Sequence, residues 1–123
     1  MFKDSKAFSG YSVDDIDDAR AFYGGTLGLK VTENPAGLGL DLATGGSVFL
    51  YPKEDHQPAT FTVLNFPVDD LDAAVDSLTG KGVVMERYDG FDHDERGIAA
   101  PSTGPRIGWF KDPAGNILAL MQD

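Results

Sequence analysis

Val13-Asp14-Asp15-Ile16-Asp17-Asp18-Ala19 and Val68-Asp69-Asp70-Leu71-Asp72-Ala73-Ala74 are nearly the same stretch, and they lie 55 residues apart in a chain of 123. In each, a Val ends a run typical of a β-strand, and an Asp followed by apolar residues at helical spacing is typical of a helix start. A repeat of this length indicates that one supersecondary unit occurs twice. We therefore expect two halves related by a pseudo-two-fold axis, with the surface between them a natural place for a ligand cavity.

The first half predicts a β-α-β-β-β order. The expected helix is capped by Asp15 and stopped by Gly28, a residue suited to a left-handed end. Gly37-Leu38-Gly39 and Gly45-Gly46 are interpreted as turn residues, and Gly45-Gly46 as the turn of a hairpin. The predicted strands cover residues 6–13, 29–33, 38–43 and 47–51.

The second half predicts the same order with one addition. Asp70 caps the expected helix, and Asp112-Pro113-Ala114-Gly115 predicts a hairpin turn. An irregular segment of residues 88–105 precedes that hairpin, and loops of this length are commonly lids or binding loops. The predicted strands cover residues 60–68, 83–87, 106–111 and 116–121.

Composition limits the classes of function. The chain has 20 acidic and 10 basic residues, a formal net charge of −10, so we expect no nucleic-acid partner, because phosphate recognition needs a basic face. An acidic surface serves solubility or favours a cationic ligand. No signal-peptide pattern or membrane-length apolar run is present, which favours a cytoplasmic protein without a membrane partner. Without Cys, disulfides and thiolate chemistry are excluded.

The duplicated pattern, the segment from Val13 to Leu29 and the closing Asp112–Asn116 turn together resemble the vicinal oxygen chelate superfamily. This group contains glyoxalase I, extradiol dioxygenases, fosfomycin-resistance enzymes and bleomycin-resistance binding proteins. The resemblance covers essentially the whole chain and implies an α+β fold of two tandem βαβββ modules, about residues 1–58 and 59–123. Their mixed, curved sheets would enclose a cavity. It also implies a homodimer, with the modules paired within one chain or swapped between two.

In metalloenzymes of that group, four strand positions converge on one divalent cation. The resemblance places these positions at Phe8, Leu50, Val63 and Ala119. A divalent cation needs oxygen or nitrogen donors, which these four side chains lack. We therefore expect no metal at this centre and no cofactor.

Period-2 alternation predicts which residues share the concave sheet face with those four positions. Trp109 is expected opposite Ala119 across the hairpin, facing the pocket and reporting ligand binding. The face is aromatic and aliphatic and suits a planar or apolar small molecule, although the same residues could form a filled core. The predicted lining residues are Phe8, Gly10, Val48, Leu50, Phe61, Val63, Asn65, Trp109, Ala119 and Met121, with Ile117 beside them and Tyr11, Tyr51, Phe91 and Arg106 at the rim.

His56 and His93 are the candidates for acid–base chemistry, since histidine is the side chain best suited to it near neutral pH. His56 lies in a polar connector, where a solvated or hydrogen-bonded structural role is the alternative. His93 is flanked by acidic residues in the 88–105 loop, where it is a proton shuttle, a contact for a basic ligand or part of a solvated loop tip.

The sequence thus predicts a small-molecule-binding protein of the glyoxalase/bleomycin-resistance kind that lacks the usual metal centre and takes a partly aromatic ligand. One alternative is a lyase, isomerase or dioxygenase-type enzyme with no metal or with unconventional metal ligands. Another is a structural or regulatory module with a closed core. The unconventional ligands would come from His56, Asp92, His93, Asp94 and Glu95.

Overall fold

Asp15 and Asp70 cap the first helix of each half, as predicted. One carboxylate oxygen of Asp15 accepts from the backbone N–H groups of Asp17 at 2.9 Å and Asp18 at 3.1 Å. Asp70 accepts from the N–H of Ala73 at 3.0 Å. These bonds satisfy donors that have no partner inside the helix. The computed structural model describes residues 1–123 and divides into two units, residues 1–57 and 58–123, each with one of these caps.

The first unit follows the predicted β-α-β-β-β order. Its elements are β1 (Ser9–Val13), α1 (Ile16–Arg20), a π-helical turn (Ala21–Thr26), β2 (Lys30–Asn34), β3 (Gly37–Asp41) and β4 (Ser47–Pro52). The strand order is β1-β4-β3-β2, with β1 parallel to β4 and the other pairs antiparallel.

The helical segment of the first unit widens before it ends. The N–H of Leu27 bonds to the carbonyl of Phe22 at 2.9 Å, a spacing of five residues. Gly28 then takes φ +71°, which confirms the predicted left-handed stop. The wide turn carries Tyr23, which is fully buried.

The second unit has β5 (Thr62–Pro67), α2 (Leu71–Gly80), β6 (Arg106–Lys111) and β7 (Ile117–Gln122). The strand order is β5-β7-β6, with β5 parallel and β6 antiparallel to β7. Helix α2 buries Leu71, Val75 and Leu78, the i, i+4, i+7 stripe expected of a helix lying on a sheet. Both sheets are mixed, which confirms the predicted α+β class. None of the helices combines the length and the hydrophobicity of a membrane-spanning segment.

The strand predicted at Val83–Arg87 is not formed, which corrects the expectation of a fourth strand in the second half. Within this segment only Glu86 pairs with β6 through the backbone, by a bond from its N–H to the carbonyl of Trp109 at 2.8 Å. On the same edge of β6, Ile107 exchanges two backbone hydrogen bonds of 2.9 Å with Ala99 of the 88–105 loop. The loop is therefore bonded to the β6 backbone groups with which a longer strand would have to pair.

Gly37 and Gly39 lie in the middle of the first sheet and are glycine for different reasons. A Cβ at Gly37 would lie 2.0 Å from the carbonyl oxygen of Leu50, so no side chain fits there. A Cβ at Gly39 would meet nothing nearer than 3.8 Å, and Gly39 has no positive φ. The turn role inferred for both residues is wrong, since both belong to β3.

We expect Gly37→Ala to destabilise the fold by at least about 2 kcal/mol, because the added methyl group forces two strand backbones apart. Gly39→Ala is the matched control. It should be neutral or stabilising by about 0.5–1 kcal/mol, since glycine in a strand loses more backbone entropy than alanine. Urea denaturation of both variants measures the difference, and equal stabilities would contradict the backbone approach at Gly37.

Candidate functional site

Helix packing divides the first sheet into a covered face and an open face. Val48 and Leu50 point to the covered face, where Leu50 has no exposed surface. Between them, Phe49 points to the open face and is the Cα partner of Gly10 in β1. The predicted face is therefore wrong for the side chains of Leu50 and Val48, although Val48, which is 4% exposed, still borders the depression described below.

The error comes from the choice of hairpin glycine. The prediction matched Gly46 with Gly115, but Gly45 is the residue with a turn conformation, at φ +92° against +88° for Gly115. Each of the two donates its N–H to the residue three before it at 3.0 Å. Counted from Gly45, the counterpart of Ala119 is Phe49, since a one-residue shift exchanges the faces of a strand.

A depression of about 300 Å³ lies on the open face of the first unit. Phe8 borders it and is 67% exposed, and Gly39 belongs to its floor. The structure therefore brings the predicted residues Phe8 and Gly10 to the open face, together with Phe49. The lining consists of Phe8, Asn34, Gly39, Ser47, Val48 and Phe49.

Two of the predicted rim residues lie elsewhere. The Tyr11 hydroxyl bonds to the hydroxyl of buried Tyr23 at 2.8 Å, and the Arg106 guanidinium donates to Asp72 of α2 at 2.9 Å. Both side chains are thus on helix-covered faces. Tyr51 does lie on the open face and stacks on Phe49 at a ring-centroid distance of 5.7 Å.

The second sheet places Asn65, Ala119 and Trp109 side by side. Ala119 is the Cα partner of Asn65 in β5 and of Trp109 in β6, which confirms the predicted pairing of Trp109 with Ala119. Ile117 and Met121 share this face by alternation. Asn65 is exposed, whereas Ala119 has no exposed surface.

A register shift in β5 changes the expectation for Phe61 and Val63. Thr62 pairs with Ile117 and Leu64 with Leu118, so Val63 is an extra residue between two ladder positions. The strict alternation that placed both residues on one face therefore stops at Val63. Phe61 precedes the strand and is exposed.

The 88–105 loop folds onto Trp109. The ring centroids of Phe91, Tyr88 and His93 lie 5.0, 5.3 and 6.1 Å from that of Trp109. The Tyr88 hydroxyl is buried without a hydrogen bond, and burial raises the pKa of this phenol. Trp109 therefore contacts its own loop, a contact that no pattern in the sequence indicated.

His93 fastens this loop to itself through both ring nitrogens. Nε2 accepts from the N–H of Tyr88 at 3.0 Å, and Nδ1 lies 2.7 Å from the carbonyl oxygen of Gly97. A carbonyl only accepts, so Nδ1 is the donor in this contact. With both nitrogens engaged, the geometry describes a structural histidine.

His56, the other acid–base candidate, belongs to the first unit. Its Nδ1 lies 2.6 Å from the hydroxyl oxygen of Ser12 in β1. This contact ties the connector after β4 to the sheet, which agrees with the hydrogen-bonded structural alternative. The acid–base role remains an untested hypothesis for both histidines.

The residues present do not fit the metal centre of the resembled enzymes. Phe8, Val63 and Ala119 offer no donor atom, and replacing Leu50 by the register-corrected Phe49 adds none. The unconventional ligand set is not assembled either, because no group of three or more His, Asp or Glu side chains converges. Asp94, one of that set, accepts instead from the N–H groups of Arg96 and Ile98 at 2.9 Å each.

We expect His93→Ala to lower stability by about 1–2 kcal/mol, because the N–H of Tyr88 and the carbonyl of Gly97 lose their partner. The fluorescence of Trp109, the only Trp, should shift to longer wavelength as the loop loosens. Asp92→Asn, next to it on the same loop, is the control and should change neither property. A His93→Ala protein with parent-like stability and emission would show that the ring does not fasten the loop.

Comparisons with solved structures agree with this fold. A glyoxalase/bleomycin resistance protein from Streptomyces sp. CB03234 is 26% identical with a TM-score of 0.64, over 96% of this chain and 100% of that one. TnmS3, an antibiotic binding protein from Streptomyces sp. CB03234, is 24% identical with a TM-score of 0.67, over 94% and 92%. The fosfomycin resistance protein FosX from Listeria monocytogenes is 14% identical with a TM-score of 0.73, over 95% and 91%. Among curated proteins, none matches significantly.

The sequence also matches a family model over residues 8–120, from the residue before β1 into the last strand. That span contains both capped helices and both sheets, except the last two residues of β7. The chain therefore belongs to the Glyoxalase/Bleomycin resistance protein/Dioxygenase superfamily.

Proposed function

We propose that this protein binds a small, partly aromatic molecule and needs no divalent metal to do so. The observation that carries the proposal is the first-unit depression, where exposed Phe8 borders about 300 Å³ of open space. Ligand sites are concave and mostly apolar with a few polar groups, and 300 Å³ is at the small end of their range. One structural relative, TnmS3, is itself an antibiotic binding protein.

The aromatic part of the ligand follows from the side chains available for contact. An aromatic pair contributes about 0.5–1.5 kcal/mol beyond the area that it buries. Phe8, Tyr51, Phe61 and Phe91 are all exposed large hydrophobic residues. Of these, Phe8 borders the depression, where an exposed aromatic group favours an occupant that covers it. The apolar residues at the metal positions support binding without metal-dependent chemistry.

The predicted lining residues divide by exposure. On the first unit, we assign ligand contacts to Phe8 and Gly10 and to the backbone of Val48. On the second unit, we assign them to exposed Phe61 and Asn65 and to half-buried Val63, Trp109 and Met121. Leu50 and Ala119 have no exposed surface, so we assign them no direct ligand contact. Trp109 fluorescence is the proposed reporter for a ligand on the second unit.

We also propose that the protein is a homodimer. Strands β1 and β2 are the two edges of the first sheet, and unpaired strand edges favour association with a second chain.

Screening neutral aromatic antibiotics and metabolites by calorimetry should give at least one ligand whose affinity is unchanged by a metal chelator. Phe8→Ala should weaken that ligand about 2- to 10-fold, which corresponds to the loss of one aromatic contact. Phe2→Ala removes a ring that is 78% exposed and lies outside the depression, and it is the control. The proposal fails if no compound binds, or if binding needs about one equivalent of metal per chain.

Light scattering should give about twice the monomer mass of 13.2 kDa. The dimer should persist across micromolar concentrations, because exposed sheet edges are covered in it. A single species at the monomer mass over this range would contradict the dimer and leave the ligand proposal standing.

A further inference from the structure

Phe49 stands between two glycines on the open face of the first sheet. Its Cα partner in β1 is Gly10 and its partner in β3 is Gly39. Tyr51, two residues along β4, stacks on the Phe49 ring with an interplanar angle of 21°. Because glycine has no side chain, the sheet backbone on both sides of the Phe49 ring is not covered by neighbouring side chains. We call the bare backbone at Gly39 the glycine floor.

Nothing within the chain requires glycine at position 39. Gly10 is crowded, since a Cβ there would lie 3.0 Å from the carbonyl oxygen of Phe49, and Gly37 allows no side chain at all. Gly39 has an ordinary φ and space above it, yet a glycine in mid-strand lowers stability. Glycine in a strand commonly marks a place where a ligand approaches the backbone.

The depression above the glycine floor has the size of a two-ring system. Its volume is about 300 Å³, and an apolar cavity of about 150 Å³ holds one benzene molecule. The Phe49 ring forms one wall, so a flat molecule on the floor can stack against it or meet it edge-on.

The polar groups at this depression favour a neutral ligand with a hydrogen-bond acceptor. The side-chain oxygen of Asn34 accepts from the N–H of Ala36 at 2.9 Å, which leaves its NH₂ group to donate. The hydroxyl of Ser47 adds a second donor. No charged side chain lines the depression. Asp41, two residues after Gly39 in β3, accepts from the Thr32 hydroxyl at 2.8 Å and lies 3.9 Å from the ammonium nitrogen of Lys30.

We propose that the glycine floor at Gly39 binds a neutral, flat, two-ring aromatic group that stacks on Phe49 and accepts a hydrogen bond from Asn34. Since this ligand class rests on the proposed function, the test separates the two. A branched or saturated group of similar volume is too thick to contact the glycine floor and the Phe49 ring at the same time.

Quinolin-2-one and its saturated analogue decahydroquinolin-2-one are the probes, because they share one carbonyl acceptor and differ in flatness. In amide NMR titrations, quinolin-2-one should shift the signals of Gly10 and Gly39 and bind at least 10-fold more tightly than the analogue. Gly39→Leu should fill the space and weaken quinolin-2-one at least 10-fold, with a Tm no lower than that of the parent. Gly25→Leu, at a glycine with nothing within 4 Å, is the control and should bind like the parent.

Three results overturn the inference. They are equal affinity for the two probes, unchanged binding by Gly39→Leu, and no shift at Gly10 and Gly39. If shifts appear only around Trp109, the glycine floor is not the site but the small-molecule function stands. If neither quinolin-2-one nor any compound of the calorimetric screen binds, both fail.

Discussion

Two hairpin turns determine which side chains of this protein are core and which are available to a ligand. Gly45 and Gly115 adopt left-handed conformations that only glycine takes readily. Each turn thereby fixes which residues of the following strand face the core. In β4 these include Leu50, while Phe49 faces outward, and in β7 the turn places Ala119 beside Trp109. A turn lengthened by one residue would exchange these roles, bury aromatic rings under α1 and expose the leucines.

The same turns explain what the sequence could predict. Local chemistry was sufficient for the caps at Asp15 and Asp70 and for the helix end at Gly28, because each depends on one residue and its nearest backbone groups. The pairing of Trp109 with Ala119 was also predictable, since the Asp112–Gly115 turn has a distinctive sequence. Gly45-Gly46 offers two equivalent candidates for one turn position, and choosing between them requires the backbone geometry.

Other features depend on contacts between residues far apart in sequence. The Val83–Arg87 segment begins with residues of strand propensity, but the edge of β6 has a limited number of free backbone groups, and Ala99 bonds to part of them. The contact of Tyr88, Phe91 and His93 with Trp109 follows from that same loop path. Gly39 was overlooked because glycine in sequence indicates a turn first, and only the empty space above its Cα shows another reason for it.

The loop that protects β6 does so through backbone atoms. Glu86 and Ala99 bond to Trp109 and Ile107 by main-chain N–H and carbonyl groups, which every residue except proline can supply in full. Residues 100–104 therefore lie outside the edge protection and can change in length or composition without exposing β6 to aggregation with other chains. This stretch gives evolution, or a protein engineer, a place to insert new recognition elements next to the start of β6 at little risk to solubility.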